Sequence, residues 1–186
     1  IRPLCNINYF SLMHKNKNTQ NILITGMPYS GKSYISDFLT SKGKNVIDVD
    51  KIKGLGKWFD KNGNIVDFPK DATMEWLNAH DFLWDKNFLR SWLNKQKSTI
   101  YLFGLAANIF KVVDLFDKAY YLDMSSEILK KRFAENERDN PMGKTQEQQT
   151  AILNDLDDFA QKAEKNGLFF VQANQRPEEI FKIVTG

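Results

Sequence analysis

The chain has 186 residues, of which 42% are hydrophobic and 26% are charged, and its formal net charge is +3. This length predicts one domain with a sizeable core, and the composition is ordinary for a globular protein. No apolar run approaches the roughly 20 residues of a membrane-spanning helix, and no dense Lys/Arg run indicates nucleic acid as a partner. The single cysteine, Cys5, leaves no partner for an internal disulfide, which suits a reducing compartment, so we expect a cytoplasmic protein.

Residues 1–20 are an Asn- and Lys-rich N-terminal extension to a domain that we expect to span residues 21–186. The extension has no sustained apolar segment followed by a small-residue cleavage site, so it does not resemble a secretory signal. The sequence assigns it no function.

The most informative stretch is residues 21–41, where an apolar strand leads into a glycine-rich loop and then into a helical pattern. The loop has the Walker A or P-loop pattern, in which backbone N–H groups cradle phosphates at a helix N-terminus. Lys32 would reach the outer phosphates of ATP, and the Ser33 hydroxyl would bind Mg²⁺. The residues predicted to contact the nucleotide are Gly26, Met27, Pro28, Tyr29, Ser30, Gly31, Lys32, Ser33 and Tyr34.

A second apolar strand is predicted over residues 45–50, and it ends in two carboxylates, Asp48 and Asp50. Side chains two residues apart on a strand point to the same side and lie about 6 to 7 Å apart along the chain. One carboxylate could then lie near the Mg²⁺ bound by Ser33, and the other would point further out, beyond the γ-phosphate. The alternative is that one aspartate only caps the following turn, a frequent role for Asp.

Residues 51–97 are the least regular part and hold all four tryptophans. A hairpin is predicted over residues 58–66, turning at Asn62-Gly63, and a helix over residues 74–97. On such a helix Trp84, Phe88 and Trp92 would form one stripe. Two interpretations stay open: the stripe faces the core, or this aromatic region, with Trp58, is a substrate lid or a base-stacking surface.

A third strand, residues 98–103, runs into Gly104 and Asn108, and the small residues there would allow a ligand to approach closely. A helix through Phe110 and Val113, a strand at 119–123 and a helix beginning near Ser125 follow. A long polar helix over residues 146–166, a strand at 168–171 and a helix opening at Pro177 complete the chain.

Arginine is scarce: only five of the 26 basic residues are arginine, so each is a candidate for bidentate contact with phosphate or carboxylate. Arg132 and Arg138 lie six residues apart in a segment that breaks at Pro141 and Gly143. We expect residues 132–144 to form a mobile lid.

Alternating strands and helices predict an α/β fold with a five-stranded parallel sheet covered by helices on both faces. Right-handed crossovers bring the carboxyl ends of the strands to one edge. The P-loop, Asp48, Asp50, Gly104 and Asn108 should converge at that edge, where ligands bind in such folds.

With these residues in place, residues 21–185 resemble the small P-loop kinases of the shikimate kinase and nucleoside monophosphate kinase type. The resemblance implies a three-layer P-loop NTPase fold with strand order 2-3-1-4-5. It implies that Asp48 assists Mg²⁺, that Asp50 contacts the phosphate acceptor and that 132–144 is the lid. Arg90 is a loose counterpart of the family's acceptor-binding arginine, and residues 51–97 would build the acceptor site.

The leading hypothesis is therefore a kinase that moves the γ-phosphoryl group of ATP to a small molecule or nucleotide. The predicted catalytic residues are Lys32, Asp50, Arg132 and Arg138, the predicted metal ligands Ser33 and Asp48, and the predicted substrate residues Asp50, Arg90, Gly104 and Asn108. Two alternatives stay open: a nucleotide-dependent regulatory or binding ATPase, and a kinase acting on a nucleic-acid end.

Overall fold

The computed structural model describes residues 19–135 and 142–186. In chain order the strands are β1 (Asn21–Thr25), β2 (Val46–Asp48), β3 (Gly56–Phe59), β4 (Ile65–Val66), β5 (Asp81–Trp84), β6 (Ile100–Phe103), β7 (Lys118–Asp123) and β8 (Phe169–Gln172). The α-helices are α1 (Lys32–Ser41), α2 (Met74–Ala79), α3 (Lys86–Leu93), α4 (Ser126–Ala134), α5 (Gln146–Lys165) and α6 (Pro177–Thr185). Short 3₁₀ turns occupy Val49–Lys51, Ile109–Lys111 and Val113–Leu115.

Five parallel strands form the main sheet in the order β2-β6-β1-β7-β8. Numbered along the chain within this sheet, the order is 2-3-1-4-5, as the resemblance implied. Side chains alternate across β1: Ile22 and Ile24 pack on one face and Leu23 on the other, each among buried residues from the covering helices. The predicted three-layer architecture is confirmed.

The helix starts follow the local signals of the sequence. The Ser125 hydroxyl accepts a hydrogen bond from the backbone N–H of Ile128 at the start of α4, and Pro177 is the first residue of α6. Within the described residues, none of the helices has both the length and the apolar run that crossing a bilayer requires.

The helix predicted over residues 74–97 is wrong: the segment is α2, β5 and α3. Thr73 caps α2, and the Asp85 carboxylate accepts from the N–H groups of Asn87 and Phe88 at 2.9 Å, so a new helix begins just after β5. Trp84 is buried in a strand and shares no helical stripe with Phe88. The helix predicted through residues 110–113 is likewise replaced by 3₁₀ turns, whose bonds join residues three apart.

A second, antiparallel sheet in the order β4-β3-β5 stands beside the main one. The predicted hairpin is β3–β4, with Gly63 in the left-handed region at φ 82°. β5 pairs with the other side of β3, where a Cβ on Gly56 would lie 2.2 Å from the Phe82 ring. The Ala107 N–H donates to the Phe82 carbonyl at 2.9 Å, which ties this sheet to the segment that follows β6.

Candidate active site

The loop between β1 and α1 is tightly wound. The Ser30 N–H donates to the Met27 carbonyl at 3.1 Å, and Tyr29 (φ 65°) and Gly31 (φ 90°) are left-handed. A Cβ on Gly26 would lie 2.7 Å from Ser30 Oγ and 3.0 Å from the Leu122 carbonyl oxygen. α1 begins after Gly31 with no side-chain cap, so its first N–H groups are available to an anion.

Lys32, the first residue of α1, lies back against this loop. Its Nζ donates to the carbonyls of Gly26 at 2.7 Å and Met27 at 3.0 Å. The residue as a whole is half-buried, but the ammonium sits among loop atoms, and this burial lowers the pKa of Lys32 to about 8 although Asp48 and Asp50 favour its charged form. Negative charge brought to this position would stabilise the ammonium.

Asp48 and Asp50 line the same cavity as Lys32 and Ser33, although the two aspartates do not lie together on one strand as predicted. β2 ends at Asp48, so no continuous strand joins the pair, and Asp50 lies in a 3₁₀ turn. The Asp48 Oδ1 accepts from the Asp50 N–H at 3.1 Å, which is the turn-capping alternative. A carboxylate has further lone pairs, so this cap is compatible with metal binding.

The pKa of Asp50 is raised, mainly by burial and then by the neighbouring charge of Asp48, while Lys32 acts in the opposite direction. A carboxyl group with a raised pKa is a stronger base once it is ionised. The three groups are thus electrostatically coupled across the mouth of the loop.

The loop opens into a cavity of about 1400 Å³. Single-ligand pockets are about 300–1,000 Å³, so this volume accommodates a nucleotide together with a second small molecule. Besides the loop, its walls come from the ends of β2 and β6, the second sheet, and the faces of α4 and α5. The lining includes Tyr34, Ser36, Val49, Trp58, Phe68, Leu77, His80, Asp81, Phe82, Phe103, Gly104, Leu105, Ala106, Ala107, Ile109, Phe110, Arg132, Glu135, Met142, Ile152, Asp155, Asp158, Phe159 and Lys162.

Arg132 lies in the last turn of α4 and joins two loops. Its guanidinium donates to the Tyr29 carbonyl at 2.8 Å and to the Ala173 carbonyl at 2.6 Å, and burial lowers its pKa. It therefore holds the P-loop against the segment after β8. Arg138, the second arginine of the predicted lid, lies outside the described residues.

The end of the predicted lid packs on the P-loop through Tyr29. The Tyr29 ring meets the Phe133 ring edge-on, with the centroids 4.9 Å apart. Gly143 is left-handed at φ 80°, and a Cβ there would lie 2.6 Å from Tyr29 Cε2, so glycine is required by both conformation and space. Arg132, Phe133 and Gly143 thus contact the loop, whereas lid motion remains a prediction.

Three predicted substrate residues have different positions. Gly104 lines the cavity, but a Cβ there would lie 2.4 Å from Val49 Cγ1 and 2.8 Å from Trp84 Cζ2, so its small size also serves core packing. Arg90 lies on the exposed face of α3, outside the cavity, and donates to Asn87 Oδ1 at 3.0 Å. An acceptor role for Arg90 has no support in this arrangement.

The Asn108 side chain does not line the cavity, and it bonds to the backbone of Trp84. Its Oδ1 accepts from the Trp84 N–H at 3.0 Å, and its Nδ2 donates to the Trp84 carbonyl at 2.9 Å. The side chain thus extends the second sheet by pairing with the end of β5. We assign Asn108 to positioning that sheet and correct its predicted role as a substrate ligand.

We expect Asn108→Ala to lower the free energy of unfolding by about 1–3 kcal/mol, because it leaves two backbone groups of Trp84 unpaired. Urea denaturation of this variant and of Asn94→Ala, which changes an exposed asparagine after α3, measures the difference. Equal midpoints for both variants would contradict the positioning role.

The sequence does not indicate the cavity residues on the second sheet, on the connections beside it and on α5, among them Phe68, His80, Asp81 and Asp158. The helical spacing assigned to residues 74–97 concealed β5, so His80 and Asp81 were placed on a helix. Thr73 and Asp85, both good helix-capping residues, were the signals that could have divided the segment.

The sheet order, the uncapped helix after the glycine-rich loop and the flanking carboxylates define a P-loop nucleotide-binding domain with the fold of the small-molecule kinases. The family model described as an AAA domain matches residues 22–154, more than half of the chain, so the chain belongs to that family. No curated protein matches the chain by sequence.

Several solved structures share the fold. Shikimate kinase from Acinetobacter baumannii in complex with shikimate has a TM-score of 0.54 at 14% identity, covering 90% of this chain and 93% of that one. A gluconokinase from Sinorhizobium meliloti 1021 has 0.50 at 13%, covering 88% and 87%. Deoxyadenosine kinase from M.mycoides, with products dcmp and a flexible dcdp bound, has 0.50 at 15%, covering 89% and 96%. At these identities the likeness concerns the fold.

Proposed function

We propose that this protein is a kinase that transfers the γ-phosphoryl group of ATP to a small molecule. The observation that supports it best is a large cavity in which the P-loop, Lys32 and Ser33 share walls with Asp48, Asp50 and a second sheet. Phosphoryl transfer needs positioning and charge neutralisation more than covalent chemistry. Both can be supplied where two ligands meet inside one cavity.

In this proposal the loop N–H groups and Lys32 bind the β- and γ-phosphates. Asp50, at the cavity wall, orients the acceptor hydroxyl and takes up its proton, a role that its raised pKa supports. The acceptor region is formed by residues 51–97, because their second sheet contributes Trp58 and Phe82 to the cavity wall and the end of α2 contributes His80.

The residues at the loop suit Mg²⁺. Among the described residues no group of three His, Cys, Asp or Glu side chains is arranged to hold a metal. Mg²⁺ is commonly bound by one or two protein ligands together with substrate phosphates, and Ser33 and Asp48 offer that number. When bound, Mg²⁺ would neutralise charge on the phosphates.

The test is a screen of acceptors with ATP labelled at the γ-phosphate, run with neutral alcohols, nucleosides, nucleoside monophosphates, hydroxy acids and oligonucleotides. We expect label to move to one class of acceptor. Label released only as inorganic phosphate with every acceptor would replace the proposal with the ATPase alternative. Label transferred only to oligonucleotide ends would favour the nucleic-acid alternative.

We expect Asp48 and Asp50 to divide the work between metal and acceptor. Asp48→Asn should raise the Mg²⁺ concentration needed for half-maximal rate and leave the KM for the acceptor little changed. Asp50→Asn should lower kcat/KM for the acceptor and leave Mg-ATP affinity intact. Steady-state kinetics with each ligand varied in turn separates these outcomes.

Asp37→Asn is the matched control, because Asp37 is exposed on α1 and lies outside the cavity. It should match the wild type in every constant. The same defect in both cavity variants, or normal turnover by Asp50→Asn, would show that the roles are not divided.

A further inference from the structure

We propose that the phosphate acceptor is an uncharged alcohol that carries a planar ring, of which a nucleoside is the most accessible example, and not a phosphorylated or carboxylated compound. This inference rests on the proposed kinase function and narrows it to a class of acceptor. Two independent features of the cavity support it: an aromatic wall and the sign of the charges beside that wall.

The aromatic wall is built from Trp58, Phe68 and Phe82, which all line the cavity. The centroid of the Trp58 ring lies 5.1 Å from that of Phe68 and 5.4 Å from that of Phe82. Trp76 supports them from behind, with its centroid 4.9 Å from that of Trp58. The rings brace one another, so the wall is preorganised for a flat ligand.

These side chains are not simply core. Trp58 and Phe82 are half-buried, and Phe68 is 38% exposed, although each has aromatic neighbours. By contrast Trp84, on the same strand as Phe82, is 2% exposed. An aromatic face left open inside a cavity, next to a candidate phosphoryl-transfer site, is suited to stacking on a planar ring.

The charged groups that line the cavity near this wall are carboxylates, which would repel an anionic acceptor. Among the described residues, the ionisable groups that the small sheet and its connections add to the cavity are His80 and Asp81. The carboxylates Asp48 and Asp50 lie on the path to the P-loop. Asp81 has an exposed Lys61 ammonium 3.8 Å away, but Lys61 does not line the cavity.

The cationic side chains that line the cavity already bond to other groups of the protein. Lys32 and Arg132 bond to carbonyls of the P-loop, and Lys162 pairs with Asp158 on α5 at 2.6 Å. Recognition of an acceptor phosphate or carboxylate calls for arginine or lysine at the acceptor end. The described part of the wall offers acidic groups there, which disfavour such an acceptor.

His80 offers a polar contact for a ring edge. Its ring stacks on Trp76, with the centroids 4.1 Å apart and the planes 15° apart, and its Nδ1 lies 2.6 Å from the Trp76 carbonyl oxygen. Because a carbonyl only accepts, Nδ1 carries the proton, and Nε2 of the neutral ring is an acceptor. Together with the Asp81 carboxylate it would accept hydrogen bonds from ring N–H groups.

The experiment compares nucleosides with their 5′-monophosphates, with shikimate and gluconate, and with glycerol and glucose as neutral alcohols without a planar ring. Binding is measured by calorimetry in the presence of Mg²⁺ and a saturating non-hydrolysable ATP analogue, so that the donor site is filled. Turnover is measured with ATP. At least one nucleoside should exceed its monophosphate in both affinity and kcat/KM by about tenfold or more, given the cost of an unpaired charge in a partly buried site.

The chain offers a matched pair of variants. Phe68 is 38% exposed and lines the cavity, whereas Phe88 is 37% exposed on α3 and does not. Phe68→Ala should weaken nucleoside binding about tenfold, as loss of one stacking partner does, with the KM for ATP unchanged. Phe88→Ala should change nucleoside binding and the KM for ATP by less than about twofold, since it removes no stacking partner.

Each outcome bears on the inference. A preference for acceptors that are phosphorylated, carboxylated or without a planar ring would overturn the inference and leave the kinase proposal standing. Equal effects of the two variants, or a loss in ATP binding with Phe68→Ala, would show that the aromatic wall does not hold the acceptor. ATP hydrolysis with binding of no acceptor would overturn both the inference and the kinase proposal.

Discussion

Lys32→Ala should reduce turnover by about 10²–10³-fold, the cost of removing one preorganised group that stabilises transition-state charge. Nucleotide affinity should also fall, because the ammonium would contact the outer phosphates in the ground state as well. The ammonium already lies within 3.0 Å of two loop carbonyls, so little movement is needed to reach a phosphate bound by the loop. Calorimetry with Mg-ATP and steady-state kinetics measure the two effects.

Lys97→Ala is the control, since Lys97 is exposed and outside the cavity. It should leave both constants unchanged. If Lys32→Ala binds Mg-ATP as tightly as the wild type and turns over normally, the P-loop takes no part in the mechanism.

Arg132→Ala should lower kcat by about 10³-fold or more if this arginine stabilises the transferring phosphoryl group, as arginines do in other phosphoryl-transfer sites. The same change leaves the carbonyls of Tyr29 and Ala173 without their donor, which should lower the free energy of unfolding by about 1–3 kcal/mol. Chemical denaturation and kinetics on the same samples separate these effects. The activity loss should persist where all of the variant is folded.

Arg176→Ala is the matched control, because Arg176 is exposed and its guanidinium pairs with Glu179 at 2.8 Å on the surface. It should lose neither activity nor much stability. If Arg132→Ala turns over normally whenever it is folded, its function is to join the P-loop to the segment after β8, and the catalytic proposal for Arg132 is wrong.

Most of the main sheet could be predicted from the sequence, because its strands are short, apolar and separated by helices. The strand that precedes Gly26 and the loop through Ser33 form a local pattern, which needs no tertiary information. The parallel order followed from resemblance, and the structure has that order.

The second sheet, which we propose to form the acceptor site, could not be predicted, since its structure depends on pairing between distant segments. β5 exists because residues 81–84 pair with β3, and no local signal carries that pairing. The role of Asn108 could not be predicted for the same reason. Its partner, Trp84, is 24 residues away in the chain, and a polar side chain after a strand is also typical of a substrate-binding residue. The scarcity of arginine indicates Arg132 as a candidate site residue. It does not indicate that Arg132 bonds to the carbonyls of Tyr29 and Ala173.

We propose that the γ-phosphoryl group passes directly from ATP to an acceptor within one cavity. Phosphorus NMR of the complete reaction, with Mg-ATP and the preferred acceptor, follows ADP, phosphorylated acceptor and inorganic phosphate in one sample. We expect one phosphorylated acceptor for each ADP, with inorganic phosphate at background, and we expect ADP and phosphorylated acceptor to form about 10²–10³-fold more slowly with Lys32→Ala. Inorganic phosphate rising one for one with ADP, with no phosphorylated acceptor formed, would contradict it.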